Sequence, residues 1–316
     1  MEKKIHRRQA LTAGGLAAAV AMSARLTKVP ARQREAREPF GYCFNTSTIR
    51  GQKLPLDEQI EVTAKAGYDA IEPWIRDVQA FVDNGGDLEK VHDRLRELGV
   101  TVESAIGFAN WIVDDDDKRA EGLETARHDM KLVKALGGNR IAAPPVGATN
   151  QSDLDLGQAA VRYRKLLELG AEEGVTPQLE LWGFSQSLHL LGELMYVATE
   201  CGHPDACLLL DIYHIYKGGS DFEGLKWVPG SRVHVLHVND YPADPPRDKI
   251  GDADRVHMGD GVAPTSTILR RLYQSGFRGM LSLELFNRSY WEQDPLELAR
   301  TGLAKMRAAV QSARIG

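Results

Sequence analysis

Cysteine is scarce in this chain. There are 3, at positions 43, 201 and 207, and none falls at CxxC or CxxH spacing. A disulfide framework or a cysteine-based zinc knuckle is therefore excluded as the basis of the fold, although one pair could still bridge. No GxGxxG turn follows an early strand-like run, so the open doubly wound sheet that binds dinucleotides lacks its signature. Positive charge is not in excess. Lys and Arg number 39 against 44 Asp and Glu, a formal net charge of −5, which argues against nucleic acid as the main partner. Long apolar runs are missing too. The run from Ala10 to Ala24 is too short and too weakly apolar for a stable membrane span. The acidic run Asp114–Asp117 lacks the spaced ligands and the glycine of a calcium loop, and reads as a solvated helix entry.

What is present begins with a processing segment. A basic start, the pair Arg7-Arg8, a mild Ala/Gly/Leu stretch and Ala-x-Ala-like exits at Ala24 and Ala31 read as a twin-arginine export signal. The alternative is a disordered basic N-terminus on a cytoplasmic protein. Residues 1–38 are taken as signal and linker, and residues 39–316 as the folded domain, placed outside the cytoplasm or in a periplasm. Twin-arginine export carries folded proteins, which suits an enzyme that acquires its metal before leaving.

From Phe40 the chain alternates strand-like and helix-like patterns. FGYCFN precedes a helix over Leu56–Ala66, YDAIEPW a helix over Leu88–Leu98, VTVESAIGF a helix over Lys118–Leu136, and NRIAAPPVG a helix over Leu156–Glu173. In the second half, TPQLELWG precedes a helix over Ser187–Cys201, and ACLLLDIYH a short helical piece near Phe222–Trp227. RVHVLHVND precedes a helix over Thr265–Ser275, and GMLSLELF one over Pro295–Ala313. Several of the helices exit at Gly, where a left-handed cap is wanted. Eight strand–helix units in about 275 residues predict a single (β/α)8 TIM barrel of class α/β, with its site at the C-terminal ends of the strands.

Four successive strands of the second half each end in a metal-type ligand: Glu180, Asp211, His237 and Glu284. Side-chain alternation puts His237 on one face with Val235 and Asn239, and turns His234 to the other. Glu180 shares its face with Gln178 and Trp182, and Glu284 with Ser282 and Phe286. An ionised Glu among leucines in a buried strand is costly without a partner. Three carboxylates and one imidazole at one mouth make a site for a hard or borderline divalent cation.

With these residues in view, the chain resembles the xylose-isomerase-like TIM-barrel superfamily of sugar epimerases, inosose dehydratases and endonuclease IV. The resemblance covers about Phe40 to Ala313. It rests on Glu180, the Asp-x-x-His pair Asp211 and His214, His237, the turn Gly259-Asp260-Gly261, and Glu284. For the ketose 3-epimerase branch it implies that Glu180, Asp211, His237 and Glu284 hold one divalent metal ion, Mn2+ first, with Co2+, Mg2+ or Zn2+ as alternatives. The two glutamates would exchange a substrate proton, and His214 would contact the substrate. Three departures narrow the reading. No lysine follows Glu180, which disfavours a hydride shift. Strands two and three offer Glu72 and Glu103 but no histidine, which disfavours the trinuclear site of a DNA-repair enzyme. The arginine that epimerases carry six residues past the strand-seven histidine is Ala243 here, leaving Arg247 or Arg255 to substitute.

Glu72, at the end of strand two, is expected to touch a substrate hydroxyl. Arg255 and His257, within Asp254-Arg255-Val256-His257, and Trp182 complete the expected substrate contacts, with Trp74, Phe108 and Trp111 near the same rim. The expected activity is isomerisation or epimerisation of a small carbohydrate or polyol ketone through an enediolate. A lyase or dehydratase on a keto-sugar or inosose is the alternative enzyme, and a non-catalytic sugar-binding barrel the alternative class. No nucleic acid and no stable membrane span are expected, and symmetry favours a homodimer.

Overall fold

The computed structural model describes residues 38–315. The expected export signal and linker, apart from Glu38, lie outside the described residues. Eight strands form one parallel sheet: β1 (Gly41–Asn45), β2 (Ala70–Glu72), β3 (Thr101–Val102), β4 (Arg140–Ala143), β5 (Thr176–Glu180), β6 (Leu208–Asp211), β7 (Val233–Val238) and β8 (Met280–Leu283). Their order is β3-β2-β1-β8-β7-β6-β5-β4. The sheet closes where Ala105, just past β3, donates to Arg140 O (3.2 Å) and accepts from Ala142 N (2.9 Å). The expected TIM barrel is the observed fold, with β3 and β4 joined by backbone bonds from a loop rather than by a regular ladder.

The covering helices are α1 (Leu56–Ala66), α2 (Ile75–Asp83), α3 (Leu88–Leu98), α4 (Asp116–Ala135), α5 (Leu156–Glu173), α6 (Leu191–Glu200), α7 (Ile212–Gly218), α8 (Thr265–Gln274) and α9 (Pro295–Ser312). The sequence pattern predicts α1, α3 and α5 at these bounds, because each ends at a glycine in the left-handed region: Gly67, Gly99 and Gly174. Two helices are additions. α2 begins directly after Trp74, so the crossover after β2 carries two helices rather than one. α7 follows Asp211 without a break, and the piece near Phe222–Trp227 is a 3-10 turn beyond it.

Strand alternation sorts the core into two shells. Leu210, Leu236, Val238, Leu281 and Leu283 point outward into the main apolar core under the helices. Leu209 and Val235 point inward and fill the barrel with Trp74, Ile106 and Ala142. Register then fixes what lies above this plug. Val235 pairs with Met280, and the next inward pair up is His237 with Ser282. Asp211 is level with His237, and Asn45 with Glu72. The barrel interior thus carries an apolar plug, beside which Gln178 donates to Ser104 Oγ at 3.0 Å, and places the polar side chains of Asp211, His237 and Ser282 one inward step toward the C-terminal mouth.

Candidate metal centre and cavity

His237 is fully buried, and both of its ring nitrogens face carboxylates. Nε2 lies 2.9 Å from Glu72 Oε2. That oxygen also accepts from Ser282 Oγ (2.7 Å) and Asn45 Nδ2 (3.0 Å). Burial alone would raise the Glu72 pKa, but the His237 charge and these three hydrogen bonds hold it below the usual carboxylate range. Ionised Glu72 can only accept, so Nε2 carries the proton and donates. Nδ1 is left to face the mouth. Around it stand Glu284 Oε2 at 3.3 Å, Asp211 Oδ2 at 3.7 Å and Glu180 Oε1 at 3.8 Å. None of these makes a proper hydrogen bond, so Nδ1 is a buried polar atom with no partner.

Each carboxylate is oriented by its neighbours. Asp211 caps α7, its Oδ1 accepting from His214 N at 2.9 Å and from Asn239 Nδ2 at 3.2 Å. Its Oδ2 is thereby turned toward Nδ1. Burial opposes its ionisation, yet the charges of Arg255 and His237 and the hydrogen bond from His214 N hold its pKa below the ordinary value. Asn45 Nδ2 donates to Glu284 Oε1 (3.2 Å) as well as to Glu72, while its Oδ1 accepts from Trp74 Nε1 and Ser47 N, both at 3.0 Å. One amide from β1 thus fixes two glutamates and an indole.

Arg255 is the counter-charge. Its guanidinium is buried, with Nη1 2.9 Å from Asp211 Oδ2 and 2.8 Å from Glu284 Oε2. Chain geometry delivers it there. Asp240 and Val256 exchange backbone bonds of 2.8 and 2.9 Å, and Asp240 Oδ2 receives the amide of Gly259 at 2.9 Å. Gly259 holds φ +85°, and a Cβ on Gly261 would run into the Tyr241 carbonyl, so the Gly-Asp-Gly turn needs both glycines. Of the two arginines offered as substitutes at Ala243, Arg255 is the one brought into the cluster. Arg247 is exposed and stays outside.

The donor set fits a divalent ion. Asp211, His237 and Glu284 each offer one ligand atom, and these lie within 4.8 Å of one another. Glu180 adds a fourth donor beside Nδ1. The buried, partnerless Nδ1, backed by a carboxylate on its other nitrogen, is the arrangement that metal-binding histidines adopt. Burial works against a charged His237, but Glu284 and Glu72 hold its pKa well above the ordinary value. Glu180 is also pushed well up, by burial against the pull of His237, with Glu284, Asp211 and Glu72 adding to the rise. Both groups must shed a proton to serve as ligands.

Above this layer opens a cleft of about 440 Å³. Glu180, Glu284, Trp182, His214 and Arg255 line it, as expected. Glu180 and Glu284 are each 4% exposed, whereas Asp211 and His237 are at 0%. Only the two glutamates can touch both an ion and a substrate. Trp74, Phe108, Trp182 and Phe184 form a continuous aromatic wall, with successive ring centroids 5.1, 6.1 and 5.2 Å apart, ending 5.8 Å from His214. His214 Nδ1 accepts from Gly183 N at 3.3 Å, and burial lowers its pKa to about 4, so it is neutral at pH 7.

Three expected positions are corrected. Glu72 is not on the cleft wall; it lies behind His237, where Ser282 and Asn45 hold it. His257 stacks on Tyr290 with centroids 4.6 Å apart and does not line the cleft. Trp111 packs in the core on Tyr163 and donates to Pro144 O at 2.8 Å. Several wall residues were not foreseen: Arg50, Asp252, Arg288 and Trp291. Asn45 was legible as the only polar side chain at the end of a buried first strand.

Fold and site together define a (β/α)8 barrel with a buried Asp/His/Glu metal-type cluster at its C-terminal mouth. The chain belongs to the family described as Xylose isomerase-like TIM barrel, whose profile matches residues 60–309. An inosose isomerase of Bacillus velezensis is 25% identical over 275 residues, covering 85% of this chain and 96% of that protein. A 3-dehydroshikimate dehydratase of Pseudomonas putida is 22% identical over 262 residues, 79% of this chain and 39% of that protein. A crystal structure of the IolI protein with a bound zinc atom superposes with a TM-score of 0.79 at 22% identity, covering 87% of this chain and 99% of that one.

Glu72→Gln is expected to weaken divalent-metal affinity by about 10–100-fold with the fold retained, the usual cost of losing a carboxylate behind a ligating imidazole. Calorimetric titration of variant and parent with Mn2+ measures it, and equal affinities would remove Glu72 from that role. Metal uptake by the parent protein is expected to release protons and to weaken as pH falls, because Glu180 and His237 hold protons above their ordinary pKa and the ion must displace them. Titrations in two buffers of different ionisation enthalpy count the protons; a count of zero would contradict the assignment.

Proposed function

We propose that this protein is a metal-dependent isomerase or epimerase of a small carbohydrate or polyol ketone, working by proton abstraction next to the carbonyl. The observation that carries the reading is the exposure pattern of the four ligands. Glu180 and Glu284 reach the cleft from β5 and from just past β8, on either side of the fully buried Asp211 and His237. A bound divalent cation would supply Lewis-acid polarisation of the substrate carbonyl.

The chain's own residues do the rest. One glutamate takes the proton from the carbon beside the carbonyl, and the other returns a proton to the neighbouring carbon or to the opposite face. Neutral His214 lies with Nε2 3.1 Å from Arg255 Nη2. The guanidinium, which can only donate, stands where negative charge develops on the substrate oxygen. The aromatic wall offers apolar faces to sugar C–H surfaces and keeps water away from the enediolate.

The inosose isomerase relative supports isomerisation. The dehydratase relative supports the second reading, in which the same proton abstraction is followed by loss of a β-hydroxyl. The oxygen-rich ligand set supports manganese as the native ion. Arg7-Arg8 and the alanine-rich run behind them support export by the twin-arginine route.

Under saturating metal, Glu180→Gln and Glu284→Gln are each expected to lower kcat by about 10²–10⁴-fold, the range for a positioned acid or base. Keto-sugars and inososes incubated in deuterated water, followed by NMR for solvent deuterium in recovered substrate and product, test it. Full activity in either variant would remove that glutamate from proton transfer. A product one water lighter would establish the dehydratase reading.

A further inference from the structure

Three arginines line the cleft, and they differ in one respect. Arg255, at the floor, makes three ion pairs, with Asp211, Asp252 and Glu284. Among the described residues, Arg50 and Arg288 make none. All three acidic residues on the wall, Glu180, Glu284 and Asp252, already belong to the floor or to Arg255. The cleft is therefore polarised, with acidic ligands below and, at its rim, the exposed side chains of Arg50 and Arg288, which make no ion pair.

The two upper arginines are neighbours by construction. Arg50 sits in the 3-10 segment Thr46–Gln52 after β1, and Arg288 in the loop after β8, the strand that pairs with β1. Trp291 joins the two loops. Its Nε1 donates to Ser47 O at 3.2 Å, its backbone N donates to Arg288 O at 3.2 Å, and its ring fills the space beside Gly51. Arg50 is also held in place, its guanidinium 4.9 Å from the centre of the Trp74 ring on the cleft wall. Arg76 stacks on the same ring at 4.5 Å but is paired with Asp77. Asp77 is engaged by Arg76, so Arg50 is a positioned cation at the cleft with no direct ion pair among the described residues, and a guanidinium fork there suits a carboxylate or phosphoryl group of a ligand.

We propose that the substrate of this site carries an anionic substituent, a carboxylate or a phosphoryl group, remote from the reacting carbonyl, and that Arg50 and Arg288 receive it. This rests on the isomerase reading for the identity of the reacting end, but not for the charge of the other end. Anchoring a remote anion would orient the carbon skeleton so that one defined C–H faces Glu180 or Glu284. The preference would discriminate charged keto-polyols from their neutral counterparts, because a neutral hydroxyl leaves both guanidinium groups with water.

Binding without turnover tests it, so failure of the isomerase reading and failure of this one are read separately. Metal-loaded protein is titrated with D-galacturonate against D-galactose, and with ribose 5-phosphate against ribose, following tryptophan fluorescence and heat. At least one anion is expected to bind about 10–100-fold more tightly than its neutral partner, the range for a charge-assisted contact. The preference should shrink with added salt and disappear in the Arg50→Gln/Arg288→Gln double variant, with Tm reporting that the variant is folded. Which anion gains more assigns the group as carboxylate or phosphoryl. Equal affinities, no binding of either anion, or a preference that survives in the double variant, as direct ligation of the metal would give, overturns the proposal.

Discussion

One hydrogen bond organises the site: His237 Nε2 to Glu72 Oε2, 2.9 Å long and fully buried. It commits one ring nitrogen to a carboxylate from β2, three strands away on the same inner face, and leaves the other for the mouth. Remove it and the imidazole is free to turn, and the cluster around Nδ1 loses its only nitrogen donor. Asn45 and Ser282 exist in this arrangement to hold Glu72, and Asn45 extends the same control to Glu284 and Trp74.

Such a layer is expensive inside a barrel. Four carboxylates, an imidazole and a guanidinium are withdrawn from water, and each would be strongly destabilising alone. Two features offset the cost. Every charged group except Glu180 meets an opposite charge at hydrogen-bonding distance, and Glu180, the odd one out, has its pKa driven well up. The apolar plug of Leu209 and Val235 lies below the layer, and the substrate-sized cleft opens above it. The electrostatic strain that remains, a raised Glu180 and a raised His237 side by side, is relieved by one divalent ion.

Much of this was legible in the sequence because period-2 alternation is unambiguous in buried strands. His237 with Val235, and Glu284 with Ser282, were placed on inward faces by counting alone. The strand ends of the second half carry ligands, so the metal layer could be drawn before any coordinates. Depth and loop path were not legible. Glu72 points inward as alternation requires, but β2 pairs at the level of Asn45, which puts its carboxylate behind the histidine rather than in the cleft. Arg255 and His257 are two residues apart, yet the bridge between Asp240 and Val256 turns only the first into the site. α2 escaped notice because a rhythm of one helix per strand was satisfied by α3. α7 was hidden because its first turn, Ile-Tyr-His, continues the apolar run of β6. Arg50 and Arg288 lie in loops, where no periodicity marks a residue for the cleft.

The most direct test of the metal centre is the metal content of the purified protein, measured beside Glu180→Ala and His237→Ala variants whose folding is verified by circular dichroism. The account predicts about one divalent ion per chain in the parent, consistent with a single four-donor site, and its loss in both variants. A parent protein that holds no ion and gains no thermal stability from Mn2+, Co2+, Mg2+ or Zn2+ would contradict it.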